Sequence, residues 1–176
     1  MPRPKMLDPD QAHPLARQLL GGIVERHGDA GEMVRAMANS PALLQGYLDL
    51  SRATKRIKVP RALAEKISLA VQEWIGCPRC LAAHVEAARA AGLTDTDIEL
   101  ARQGTSVDGR EAALIALAVR LLVEPSSIDD SDVAAIREHG WSDRILGDLV
   151  ALVALNQLTG SFNLLAGLGA DETQLT

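Results

Sequence analysis

No segment of this chain alternates apolar and polar residues for long enough to make a strand; its apolar residues recur at helical spacing instead. Composition narrows the choice further. Hydrophobic residues make up 47% of the 176 residues and aromatics only 2%, so a core has to be assembled from Ala, Leu, Ile and Val. Such a core suits closely packed helices better than a sheet, whose strands favour β-branched and aromatic side chains. The expected fold class is therefore all-α: one helical domain over residues 11–176, long enough to bury a proper core. Residues 1–10 read as a flexible, polar, Pro-containing tail.

Glycine and proline mark the helix ends. Apolar residues at helical spacing predict helices over 11–27, closed by Gly28, and over 30–38. Ser40 is placed as an N-cap with Pro41 in the first turn of a helix reaching residue 51. Pro60 opens a helix to residue 75 carrying Leu63, Ile67, Leu69, Ala70 and Trp74, with Gln72 and Glu73 as its wet edge. Gly76 interrupts it. Cys77 then caps a helix that begins at Pro78 and stops at Gly92. Thr94 caps a helix to 102, and further helices are expected over 110–123, 129–139 and 142–167. The run Arg89-Ala90-Ala91-Gly92-Leu93-Thr94-Asp95 echoes Arg137-Glu138-His139-Gly140-Trp141-Ser142-Asp143. A duplicated helical hairpin explains that echo, and shared capping chemistry explains it nearly as well.

Charge and hydropathy exclude several functions. A net charge of −5 argues against a general nucleic-acid binder, which needs clustered Lys and Arg. The one basic run, 52–61, is interleaved with Ala, Ile and Val and reads as a solvated connection. No apolar stretch approaches the ~20 residues of a membrane span, and the N-terminus lacks the apolar region of a signal peptide. Cytoplasmic residence is the expectation. In a reducing compartment a Cys-x-x-Cys pair is more often catalytic or metal-binding than a structural staple.

That pair, Cys77 and Cys80, comprises the only cysteines of the chain, and His84 follows one turn later. On a helix the three lie at i, i+3 and i+7, on one face. A mixed disulfide on one sulfur can be resolved by the other, and the helix N-terminus, Arg79 and His84 all favour a thiolate. Cys77, at the cap, feels the helix dipole most. His84 is spaced to accept a proton from Cys80. A carboxylate behind His84 would fix its tautomer and raise its basicity, and the preceding helix offers Glu65, set among apolar residues, or Glu73. Two other readings of the segment are an inert buried pair and a zinc site using both sulfurs, His84 and a carboxylate. No second paired-ligand knuckle accompanies it.

Glu65, twelve positions ahead of Cys77, the motif Cys77-x-x-Cys80-x-x-x-His84, and the stretch from Ala87 to Asp95 together resemble the alkylhydroperoxidase D-like proteins of the carboxymuconolactone decarboxylase family. The likeness extends from about residue 35 to 167. It implies an all-helical fold, homo-oligomers (commonly trimers or hexamers) and peroxidase chemistry without a cofactor or metal. By motif position the resemblance makes Cys80 the peroxidatic thiol, Cys77 the resolving one, His84 the proton acceptor and Glu65 the residue behind it. The implied partners are a small organic hydroperoxide and an external thiol or dithiol reductant, with neither nucleic acid nor membrane. The best-known peroxidases of the group carry a histidine just before the second cysteine. Arg79 stands there in this chain and cannot shuttle protons at physiological pH. The decarboxylase branch generally lacks the cysteine pair and fits less well. The expected function is a cysteine-dependent hydroperoxide reductase, with a thiol–disulfide oxidoreductase or a redox sensor on the same fold as the alternative.

Overall fold

A computed structural model describes residues 3–169. Among them it contains nine α-helices and two short 3₁₀ turns, with no strand. The helices are α1 (Pro14–His27), α2 (Glu32–Met37), α3 (Pro41–Thr54), α4 (Arg61–Ile75), α5 (Pro78–Ala90), α6 (Asp95–Arg102), α7 (Gly109–Val123), α8 (Asp130–Glu138) and α9 (Asp143–Ala166). The capping chemistry expected from the sequence sets several of these ends. Ser40 accepts from Leu43 N at 3.3 Å, and Thr94 and Asp97 form a reciprocal capping box. Pro60 sits one residue earlier than expected, as the N-cap of α4.

Helix α4 is the hub. Every position from 66 to 72 is buried, which for a helix means burial on all sides. One face carries Leu63, Ile67, Ala70 and Val71 against Leu114, Ile115 and Ala118 of α7 and Leu149 and Val153 of α9. On another side Leu69 meets Ala88 of α5 and Ile98 and Ala101 of α6. Helices α1 to α3 build a second cluster around Leu20, Ile23, Met37 and Leu44, closed by Leu158 and Phe162 of α9. Helix α9 thus runs along both clusters. By length and composition it is apolar enough to cross a membrane, which corrects the expectation that no stretch qualifies. Its inward face of Leu149, Leu152, Val153, Asn156, Gly160, Asn163 and Ala166 is buried in the protein.

Three local readings are corrected by packing. Gln72 is fully buried at 0% exposure, whereas Trp74, expected on the apolar face, is 61% exposed. Segment 52–61 is only partly a solvated connection. Arg52–Thr54 prolong α3, while Val59 is buried and Ile57 packs against the α4–α7 core. The residues read as a tail carry tertiary contacts from Lys5 onward. Leu7 N donates to Arg35 O at 3.1 Å, Asn39 Nδ2 to Lys5 O at 2.6 Å, and Arg35 pairs with Asp8 at 2.7 Å.

The sequence echo has a structural counterpart. Leu93 N bonds back to Ala88 O at 3.0 Å and Trp141 N to Ile136 O at 3.2 Å. In each copy an arginine clasps the aspartate six residues on: Arg89 to Asp95 at 2.9 Å and Arg137 to Asp143 at 2.8 Å. Both are the same 6→1 closure of a helix end followed at once by a new helix.

Helices α4 and α9 approach closely at Gly160. A Cβ there would lie 2.6 Å from Gln72 Oε1 and 2.9 Å from Ile75 Cγ2, whereas one at Gly147 would meet nothing within 4 Å. Gly160→Ala is expected to destabilise the fold by about 1–3 kcal/mol through overpacking. Gly147→Ala should instead stabilise it by roughly 0.4–1 kcal/mol through helix propensity and chain entropy. Urea unfolding midpoints of the two variants check this; equal shifts would remove the close-approach argument.

Candidate active site

The cysteine segment is built by a break between two helices. Gly76, at φ +72° in the left-handed region, ends α4 with its N–H on Gln72 O at 2.9 Å, a conformation that a side chain would strain. Cys77 follows as the N-cap of α5, its Sγ accepting from Cys80 N at 3.3 Å. Pro78 occupies the first turn, where its missing N–H is not needed. The Cα atoms of Cys77 and Cys80 are 5.3 Å apart and their sulfurs are joined as a disulfide.

The two sulfurs differ in access. Cys77 is 1% exposed and Cys80 7%, and it is Cys80 that lines a cleft of about 360 Å³. This cleft lies between α5, α9 and the start of α2, with Arg79, His84, Thr159, Asn163 and Glu32 on its walls. His84 Nδ1 is 2.8 Å from Glu65 Oε2. A carboxylate can only accept, so Nδ1 carries the proton and Nε2 of the neutral ring is left as the acceptor. Glu73, the other carboxylate considered, points elsewhere and binds Arg102 Nε at 2.8 Å. On the far side of His84 lies a second cleft of about 490 Å³, lined by Glu65, Ser68, Lys55, Tyr47 and Thr159 among others. Burial pushes the Tyr47 phenol above its ordinary range, with a hydrogen bond from Ser51 opposing it, so it stays a protonated donor.

Arg79 is not free beside the cysteines: its Nη1 holds Glu32 Oε2 at 2.5 Å. The positive charge expected to favour a thiolate is thus shared with a carboxylate across the cleft mouth. No group of three or more His, Cys, Asp or Glu among the described residues is gathered as for a metal ion.

Two site residues escaped the sequence reading, Glu32 and Asn163. Asn163 Nδ2 donates to Cys80 Sγ at 3.3 Å. One signal was available for it: Asn156 and Asn163 stand seven residues apart, on one face of an otherwise apolar helix. Asn156 belongs to a buried polar group with Ser68 Oγ (3.1 Å) and Gln72 Nε2 (2.9 Å).

Residues 41–121 match the model of the carboxymuconolactone decarboxylase family. That segment is similar to the family. It includes Glu65, Cys77, Cys80 and His84, and leaves Glu32 and Asn163 outside it. Among solved structures, the chain is similar to an alkylhydroperoxidase AhpD core, a peroxidase-related protein from Ralstonia eutropha JMP134, with a TM-score of 0.78 and 18% identity over 97% of this chain and 93% of that one. A peroxidase-related protein from Silicibacter sp. TM1040 gives 0.73 and 20% over 93% and 90%. The debrominase Bmp8 gives 0.69 and 18% over 88% and 84%. At these identities the likeness fixes the alkylhydroperoxidase D-like helical fold. No protein of curated function matches the chain.

If Glu65 orients His84, then Glu65→Gln should slow alkylation of reduced Cys80 near neutral pH by about tenfold, less than the ~10²–10⁴ that a general base itself contributes. Glu73→Gln should leave it unchanged. Iodoacetamide trapping read by mass spectrometry checks this, and equal rates in the two variants would remove Glu65 from the account.

Proposed function

We propose that the protein is a cysteine-dependent hydroperoxide reductase, cycling between the dithiol and disulfide of Cys77 and Cys80. The observation carrying this reading is the asymmetry of the pair. One sulfur opens on a cleft shared with a carboxylate-bound imidazole, and the other is shut behind it at the helix cap. Peroxide reduction needs one thiol that substrate can reach and a second that waits within bonding distance.

In the proposed cycle His84 Nε2 takes the proton of Cys80. The thiolate attacks the terminal oxygen of the hydroperoxide, the O–O bond breaks, and the alkoxide recovers the proton from His84 as the alcohol. Cys80 is left as a sulfenic acid. The Cys77 sulfur then attacks Cys80 Sγ, and the hydroxyl leaves with the Cys77 proton as water. An external thiol attacks the disulfide at Cys80, the reachable sulfur, and expels Cys77 as a thiolate. The helix N-terminus and the Cys80 N–H stabilise that leaving group. The dipole that makes Cys77 the more acidic position therefore suits it to leave, and access suits Cys80 to attack. A second external thiol releases the mixed disulfide.

The test is single-turnover loss of cumene hydroperoxide with excess pre-reduced protein. Wild type should consume one equivalent far faster than free cysteine and form one intramolecular disulfide. Cys77→Ser should consume one equivalent and stop at a dimedone-reactive sulfenic acid, and Cys80→Ser should lose activity by at least about 10³-fold, as for removal of a nucleophile. Wild-type loss no faster than that of free cysteine would favour a thiol–disulfide oxidoreductase on this fold. Retained turnover in Cys80→Ser would reverse the roles of the two cysteines.

A further inference from the structure

Three buried side-chain atoms lack a hydrogen-bond partner among the described residues: Arg35 Nε, Gln72 Oε1 and Asn163 Oδ1. A buried carbonyl oxygen without a donor is costly and rare in native interiors. Arg35 is otherwise engaged with Asp8, and Gln72 Oε1 abuts Gly160 at the crossing of α4 and α9. Only Asn163 of the three lines the cysteine cleft. It is 5% exposed, and its Nδ2 is held at Cys80 Sγ, 3.3 Å away. That bond fixes the amide: a disulfide or thiolate sulfur only accepts, so the NH₂ must face it and the carbonyl is turned from it. Thr159, one turn earlier on the same wall, donates its hydroxyl to Leu155 O and Asn156 O at 3.0 and 3.1 Å. Asn163 Oδ1 is therefore a buried acceptor without a partner, on a residue that lines the cleft beside the reactive sulfur.

We propose that Asn163 is a catalytic residue: its Nδ2–H steadies the Cys80 sulfur while its Oδ1 accepts the O–H of the hydroperoxide, setting the terminal oxygen against Sγ. The inference rests on the peroxidase reading for its second half only. As the S–O bond forms and the O–O bond breaks, sulfur is oxidised by two electrons and the peroxide reduced to alcohol, with the alkoxide protonated from His84. The hydroxyl transferred to sulfur keeps its hydrogen, so Oδ1 accepts from the peroxide before the step and from the sulfenic acid after it. One carboxamide serves both sides of the transfer without changing its own protonation, which suits a position where no ionisable group is needed.

The experiment separates the two halves. In reduced Cys77→Ser protein, iodoacetamide alkylation of Cys80 against pH reports the thiolate, and stopped-flow oxidation by cumene hydroperoxide reports the reaction. Asn163→Ala should move the alkylation midpoint up by about one pH unit, the size of a hydrogen bond to a charged group. Above that midpoint, where the thiolate is complete, its alkylation should equal that of the parent. Its oxidation there should still be slower by about tenfold or more. Asn163→Asp, equal in shape, should move the midpoint further up by placing a negative charge at the sulfur. It keeps the proposal testable if the alanine variant does not fold by circular dichroism. An unmoved midpoint in a folded variant would overturn the hold on sulfur. Oxidation and alkylation falling in parallel at high pH would overturn the orientation of peroxide. If the parent itself oxidises no faster than free cysteine, the peroxidase reading and with it the orienting role fail, and the alkylation midpoint still decides the hold on sulfur.

Discussion

A helix buried on every side must match the polar groups it carries, and α4 does so, Gln72 Oε1 apart, with side chains from three other helices. Lys66 is matched by Glu111 at 2.7 Å and Ser106 at 3.1 Å. Ser68 and Gln72 are met by Asn156 of α9, and Glu65 by His84 of α5. Inside a protein an unmatched polar group is heavily penalised and a matched one strengthened. These pairs therefore fix the rotation of α4 against α5, α7 and α9 more narrowly than its Ala and Leu contacts can. The Glu65–His84 contact belongs to this set: the same requirement that sets the helix register sets the imidazole beside the cysteines.

Much of the fold was legible because its signals are local. Helix ends at Ser40, Thr94 and Cys77 depend on neighbours within three residues, and Cys77, Cys80 and His84 share a face by the helix period alone. What was not legible depends on how helices meet. Glu65 and Glu73 lie on one helix, eight residues apart and so only roughly 80° around it at about 100° per residue. Nothing in sequence says which direction faces α5. Gln72 and Trp74 were read in reverse because hydrophobicity ranks them one way, whereas the crossing of α9 at Gly160 covers the amide and leaves the indole outside. Asn163 lies 83 residues from the sulfur it touches, beyond any local rule.

The disulfide segment also reconciles two forces that point to different cysteines. The electrostatic preference lies at the cap and therefore with Cys77, while reach from solvent lies with Cys80. Thiol–disulfide exchange uses both properties in one event, since the attacked sulfur must be reachable and the departing one must tolerate charge. Placing them on separate residues three apart lets each be met without compromise. The Arg79–Glu32 pair adds a neutralised edge to the cleft, so its mouth presents a matched ion pair in place of a lone cation.

His84 lines both the cysteine cleft and the cleft that holds Glu65, so the imidazole is a wall with an opening on either side. A molecule seated against Cys80 would seal one face of that wall and leave the other in contact with water. The Nδ1 side of the ring, held by Glu65, then keeps a route to solvent that a molecule on the front does not block.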